Sequence, residues 1–255
     1  MPLYRVTLAY DGTEFLGWQA QERPDGTRPR TVQGELEAAL TRLASGVPVR
    51  VSGAGRTDAG VHALGQVASF ELPRAVPPAE LQRSLNGMLK DDLRVVDAAE
   101  APAGFHARKS ARGKLYRYEV DSGPFQLPTR RRMAAHVRWP LDAPAVQEAA
   151  AMFVGRHDFA AVASTGSSVR TTVRTITRSE AVLQGRTLVY EVEADGFLRK
   201  MVRSLVGALL DVARGTVTVD DLRRALDSRD RRNWPRPAQA HGLVLVRVDY
   251  GPDVE

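Results

Sequence analysis

Residues 47–72 read VPVRVSGAGRTDAGVHALGQVASFEL. Two strand-like apolar runs, Val47 to Ser52 and Val61 to Leu72, flank a polar loop from Gly53 to His62. Strand, tight loop and returning strand predict an antiparallel pair. The loop holds Gly53, Gly55 and Gly60, which let the backbone adopt conformations closed to other residues and let a ligand come close. Asp58 stands two residues from Arg56. A carboxylate on such a loop beside a guanidinium is a candidate nucleophile with a charge partner. The plainer alternative is a tight connection in which Asp58 caps a turn and Arg56 is solvated.

Working outward, Tyr4, Val6, Leu8 and Tyr10 alternate with Arg5, Thr7 and Ala9, a half-buried strand ending at Asp11-Gly12. Thr31 can cap a helix with the apolar stripe Val32, Leu36, Leu40 and Leu43, stopped by Gly46. Pro78 opens a second helix carrying Leu81, Leu85, Met88 and Leu89, and a short strand follows at Leu93 to Val96. The order strand, helix, strand, strand, helix, strand is a split βαβ pattern. After a small, Pro- and Gly-bearing join at Ala99 to Gly104, the pattern returns with insertions. Tyr116, Tyr118 and Val120 alternate, a helix follows at Ala143 to Phe153, and strands follow at Thr171 to Leu183 and Thr187 to Ala194. A long helix spans Phe197 to Ala213, a short one Val219 to Asp227, and a last strand Leu243 to Tyr250. The expected fold class is α+β. It comprises two RRM-like halves, 1–105 and 106–255, each a mostly antiparallel sheet with helices on one face. A pseudo-twofold relates them across a central cleft.

Composition narrows the function. The chain has 255 residues, 43% of them hydrophobic, enough for one large core or two smaller ones. No apolar run is long enough for a transmembrane helix, and the N-terminus enters a strand pattern directly. Cysteine is absent, and the five histidines never take a metal-ligand spacing. These features lead us to expect a cytoplasmic protein with no structural metal and no membrane partner. Net charge is +6, and of the 36 Lys and Arg residues only Lys90, Lys109, Lys114 and Lys200 are lysine. Arginine presents a planar fork of donors to phosphate and stacks on bases, so the balance favours a polyanionic partner. A GC-rich coding bias would also favour arginine.

Other constellations invite a functional reading. Phe105 to Tyr118 interleaves His106, Arg108, Lys109, Arg112, Lys114 and Arg117 with Tyr116 and Tyr118. Cations among aromatics suit RNA, although a basic linker entering a strand with core tyrosines would look similar. In Gly196 to Arg203, the residues Arg199, Lys200 and Arg203 crowd the expected first turns of the long helix, where the macrodipole disfavours cations. A locally unfavourable choice is a place to look for function. Arg130, Arg131 and Arg132 form a basic loop. The pair His157-Asp158 lacks any cysteine or serine elbow to complete a triad. A carboxylate-dependent nuclease or glycosidase would need a second carboxylate or a metal cluster, and no acidic residue flanks Asp58. A non-catalytic tandem RRM-like RNA-binding protein is the alternative reading, but the aromatic RNP pattern of such modules is absent.

Several segments together resemble the tRNA pseudouridine synthase A family. They are Gly55-Arg56-Thr57-Asp58-Ala59-Gly60-Val61-His62-Ala63; Tyr10-Asp11-Gly12-Thr13 with Phe15, Gly17, Trp18 and Gln19; Thr31-Val32-Gln33-Gly34; Tyr116-Arg117-Tyr118; His157-Asp158-Phe159; Phe197 to Arg203; and His241-Gly242-Leu243. The resemblance covers nearly the whole chain in order. It implies a tRNA pseudouridine synthase acting on uridines 38, 39 and 40 of the tRNA anticodon stem-loop, as a cofactor-free homodimer. It also implies that Asp58 is the catalytic aspartate, Tyr116 the active-site tyrosine and Arg203 the arginine that pairs with the aspartate. Arg56, with Tyr116, Arg108 and Lys114, is expected to bind substrate.

Overall fold

The computed structural model describes residues 1–164 and 169–251. In chain order its strands are β1 (Leu3–Tyr10), β2 (Ser52–Gly53), β3 (His62–Glu71), β4 (Leu93–Glu100), β5 (Gly113–Ser122), β6 (Ala135–Val137), β7 (Gly155–Asp158), β8 (Val173–Gln184), β9 (Thr187–Ala194) and β10 (Leu243–Asp249). The helices are α1 (Val32–Leu43), α2 (Pro78–Met88), α3 (Ala143–Ala151), α4 (Met201–Ala213) and α5 (Val219–Asp227). The class is α+β. The described residues divide into two compact units: one holds 1–112 together with 245–251, and the other lies within 113–244.

In the first unit β1 lies between β3 and β4, antiparallel to both. Its burial alternates along its whole length, and Tyr4, Val6 and Leu8 are fully inside. The strand β4 runs four residues beyond the expected Leu93 to Val96. A bulge sits opposite Thr7 and Leu8, which pair with Asp97 and Val95 and skip Val96. Side chains of α2 hold the bulged backbone: Asn86 bonds both Val95 N and Val95 O at 2.8 Å, and Gln82 donates to Val96 O at 2.9 Å. Thr31 caps α1, its Oγ1 accepting from Gly34 N at 3.2 Å. The apolar faces of α1 (Val32, Leu36, Leu40) and α2 (Leu81, Leu85) are buried.

One expected strand shrinks. Of Val47 to Ser52 only Ser52 is in a strand, as part of β2. The residues before it bond to α1 instead. Val49 N donates to Thr41 Oγ1 at 3.3 Å, Val51 N to Glu37 Oε1 at 3.0 Å, and Gln33 Nε2 donates to Val51 O at 3.2 Å. Helix side chains satisfy backbone groups that a partner strand would otherwise have to satisfy. The chain after Leu245 packs here too. Phe105 and Tyr250 meet at 5.0 Å between ring centroids, and the Tyr250 hydroxyl donates to Ala107 O at 2.7 Å.

In the second unit β5, β9, β8 and β7 are neighbours in that order, all antiparallel, and β6 runs parallel to β5. Gly185, at φ 59°, opens the two-residue turn between β8 and β9. The helix α4 is buried along most of its length. Gly207 lets the chain at Arg236 lie directly on it, because a Cβ there would sit 1.9 Å from Arg236 O. A full capping box holds the start of α5, formed by Thr218 and Asp221.

The expected long helix from Phe197 begins instead at Met201. Lys200 sits in the left-handed region at φ 61°, so the backbone turns just before the helix and no side chain caps it. Arg199 and Lys200 therefore precede the helix, and the reading that placed them on its first turns does not hold. Arg203 remains in that first turn.

Candidate active site

The Asp58 loop is short on regular structure and long on anchors. Ala54 N donates to Val67 O at 2.8 Å, Trp18 N to Thr57 O at 3.0 Å, and Val61 N to Asp58 O at 3.1 Å. Gln66 Nε2 donates to Gly55 O at 3.0 Å. The Thr57 hydroxyl and the Tyr10 hydroxyl lie 2.9 Å apart. Gly12 N donates to His62 Nδ1 at 2.9 Å. Asp11 Oδ1 lies 3.2 Å from the same Nδ1.

Glycines make this packing possible. A Cβ on Gly53 would lie 2.4 Å from the Trp18 indole, one on Gly17 (φ 87°) would lie 2.6 Å from Thr57 O, and one on Gly12 would lie 2.0 Å from Val61 O. The segment 11–18 is thus pressed against the loop. Thr57 is buried, Arg56 is exposed, and Asp58 is half-buried between the two conditions. A fixed backbone presents a partly desolvated carboxylate, the arrangement that nucleophilic or electrostatic catalysis by a carboxylate requires. Arg108, on the same unit, is exposed, and its backbone N–H donates to His106 Nδ1 at 3.1 Å.

Lys114, Tyr116 and Arg203 belong to the second unit. On β5, Lys114 stands opposite Ala194 and Tyr116 opposite Val192. Tyr116 is 7% exposed and meets Phe197 edge to face, 5.1 Å between centroids at 83°. Tyr118, two residues on and so on the same face, donates its hydroxyl to Gln239 O at 2.7 Å. Burial pushes the Tyr118 phenol well up, and the Arg203 charge pulls it partly back. Arg203 Nε donates to Ala238 O at 2.8 Å, while Ala238 N donates to Arg203 O at 2.8 Å. The Nε bond, to a carbonyl oxygen, helps offset the cost of a cation in a helix's first turn. Tyr118 and Arg203 thus converge on the segment Ala238-Gln239.

In the remaining sequence motifs, several side chains bond within the protein. Asp158 accepts from Ala160 N at 3.1 Å and from the Thr172 hydroxyl at 2.5 Å, and it pairs with Arg229 at 3.2 Å. His157 Nε2 lies 3.0 Å from Val154 O. Arg117 pairs with Glu191 at 2.8 Å and Arg130 with Glu119 at 2.7 Å. Among the described residues, no group of three or more His, Asp or Glu could hold a metal ion. No helix among them is long and apolar enough to cross a membrane.

Comparison with known proteins shows the family. The family model for tRNA pseudouridine synthase matches residues 7–108 and 149–251. A tRNA pseudouridine synthase A of Latilactobacillus sakei is 41% identical over 249 residues, covering 97% of this chain and 98% of its own. The namesake of Nitratidesulfovibrio vulgaris is 41% identical over 96% of this chain and 98% of its own. That of Streptococcus thermophilus is 40% identical over 98% of this chain and all of its own. The chain belongs to the tRNA pseudouridine synthase family. The first matched block spans the whole Asp58 loop, and the second contains Arg203; Tyr116 lies between the blocks.

Within this family member, sequence reading alone singled out neither Gln66 nor Tyr10 as part of the Asp58 surroundings. Tyr10 read as one more inward residue of an alternating strand. Gln66, at 0% exposure, is a polar residue at a buried position of a strand, and that is the signal that could have marked it.

Proposed function

We propose that this protein isomerises uridine to pseudouridine at positions 38, 39 and 40 of the tRNA anticodon stem-loop, with Asp58 as the reacting carboxylate and no cofactor. One observation carries this reading: the half-buried Asp58 carboxylate stands on a pinned glycine loop. The chain is 41% identical over 97% of its length to a tRNA pseudouridine synthase A. Substrate and product are isomers, so no co-reactant is needed. The glycosidic bond from N1 to C1′ breaks, the uracil turns, and C5 bonds to C1′. The C5 proton then leaves, and N1 gains one. A carboxylate can serve as nucleophile or stabilise a cationic sugar, and it must be ionised to do either. Arg203 is the cation we assign to favour that ionised form. Tyr116 is assigned to stack on the base and to accept the C5 proton. Arg56 fills the space vacated when the target base leaves its stack, and Arg108 and Lys114 meet phosphates. The reading includes an RRM-like character for each half, a cytoplasmic location and a homodimer.

The test is incubation of the purified protein with unmodified tRNA transcript, followed by nucleoside analysis and gel electrophoresis of the RNA. Pseudouridine at the three positions in full-length RNA is the expected result. Strand cleavage, free uracil, or retention of unchanged tRNA would each overturn the reading in favour of a nuclease, a glycosidase or a binding module.

A further inference from the structure

Beneath the Asp58 loop lies a buried polar relay that the chemistry itself does not call for. Gln66 of β3 is fully buried, Tyr10 of β1 is 5% exposed and Thr57 is 7% exposed. Gln66 Nε2 donates to Gly55 O at 3.0 Å and lies 3.5 Å from the Tyr10 hydroxyl, which in turn lies 2.9 Å from Thr57 Oγ1. The relay therefore grips the loop twice, at the Gly55 carbonyl and at the Thr57 side chain, just before Asp58. Gln66 Oε1 is buried and has no hydrogen-bond partner. An acceptor left unsatisfied in the interior is a cost that packing alone would remove by substituting an apolar residue.

We propose that Tyr10 and Gln66 are positioning residues for the reaction: through Thr57 and Gly55 they set the direction in which Asp58 presents its carboxylate. Four features support this. Both residues sit on paired strands, with Leu8 opposite Gln66 and Tyr10 opposite Ala63 and a register shift between them, so the relay stands on hydrogen-bonded strands and not on the loop it holds. The Tyr10 ring is braced edge-on by Phe15 at 6.2 Å, and the Arg30 guanidinium lies 4.2 Å over the Phe15 ring. Arg30 is itself held by two bonds to Asp92 at 2.6 and 2.8 Å. Burial holds the Tyr10 phenol neutral, pushed up to about 12, so the relay keeps its proton well above neutral pH.

The inference rests on Asp58 being the reacting group, so the experiment separates the two. Single-turnover pseudouridine formation at saturating tRNA, tRNA affinity and thermal midpoint are measured for Tyr10→Phe, Thr57→Val, Thr57→Ser, the double variant Tyr10→Phe/Thr57→Val, and Asp58→Asn. Misaiming a reacting group costs roughly ten- to a hundredfold in rate, so Tyr10→Phe and Thr57→Val should each fall by that much with affinity unchanged. Thr57→Ser, which keeps the hydroxyl, should recover most of the rate. The double variant should be no slower than the worse single one, because both remove the same link. If Asp58→Asn is inactive while Tyr10→Phe and Thr57→Val keep the parent rate, the positioning role is wrong and the Asp58 reading stands. If Asp58→Asn turns over at the parent rate, both fail. Rate losses that follow the thermal midpoint and persist in Thr57→Ser would make the relay a folding element only.

Discussion

In the proposed reading Asp58 reacts as an ionised carboxylate whose direction its neighbours set. The half-buried carboxylate sits between the exposed Arg56 and a chain pinned at Thr57 O and Val61 N. Asp58→Asn keeps the size of the side chain and removes its charge. It is expected to lower the single-turnover rate on the order of a thousandfold or more while tRNA binding and thermal stability stay near the parent values. Substantial turnover by the purified variant would exclude Asp58 as the central group. Arg203 makes a different prediction. Its Nε is already engaged with Ala238 O at 2.8 Å, so the guanidinium is oriented by its own unit before any substrate arrives. Arg203→Ala should reduce the rate at saturating tRNA sharply with a smaller effect on affinity, and Arg203→Lys should restore only part of it, because an ammonium lacks the planar fork. An Arg203→Ala protein that bound tRNA weakly yet reacted at the parent rate would mark Arg203 as a phosphate contact.

Some elements of this protein start or stop where side chains bond backbone groups, and others where the backbone itself turns. Helix α1 takes over the backbone of residues 49 and 51 and leaves β2 only two residues long. The left-handed Lys200 delays α4 to Met201. The turn joining β8 to β9 is held by a side-chain ion pair. Asp121 on β5 is fully buried and pairs with Arg186 of that turn, whose Nε donates to Oδ1 at 2.8 Å. The guanidinium also donates to Phe125 O and lies 5.3 Å from the Phe125 ring centroid. Removing one member of a buried pair leaves the other charged and unpaired, at a cost of about 3–5 kcal/mol. Arg186 is itself partly exposed, so Arg186→Met is expected near the lower end, read as a shift in the urea unfolding midpoint. Arg186→Met with Asp121→Asn should recover much of the loss. A single variant as stable as the parent would show that Asp121 finds other partners.

At the scale of the whole molecule, charge and burial make opposite demands on pH and salt. With a net charge of +6 and arginine dominating the cations, tRNA affinity should fall steeply and linearly with log salt, as expected when several phosphates are neutralised. A flat response between 50 and 200 mM salt would argue against a phosphate-reading surface. Burial sets the alkaline limit. Tyr10 is pushed up to about 12, and Tyr118, Tyr190 and Tyr250 shift in the same direction, each chiefly by desolvation. A phenol with a folded value above its unfolded value, near 10, binds more protons in the native state between those two values. Its stabilisation is therefore complete below pH ~10 and is lost as pH rises through that window, about 2–3 kcal/mol for Tyr10 alone. Unfolding by urea at pH 8 and at pH 11 should show this loss, and Tyr10→Phe should reduce it. Equal stability at both pH values would contradict the burial of these phenols. Much of this was legible in the residues alone. Alternation in Tyr4 to Tyr10 gave β1, the stripe after Thr31 gave α1, and the glycine loop around Asp58 marked the candidate site, because period and glycine chemistry are local properties. The family, too, was readable from motifs that lie along the chain in order. The tertiary structure alone decided that residues 245–251 return to the first unit, that α4 begins at Met201, and that Tyr10 and Gln66 lie beneath the Asp58 loop. Each of these depends on which backbone donor or acceptor finds its partner far along the chain, and no local period carries that information.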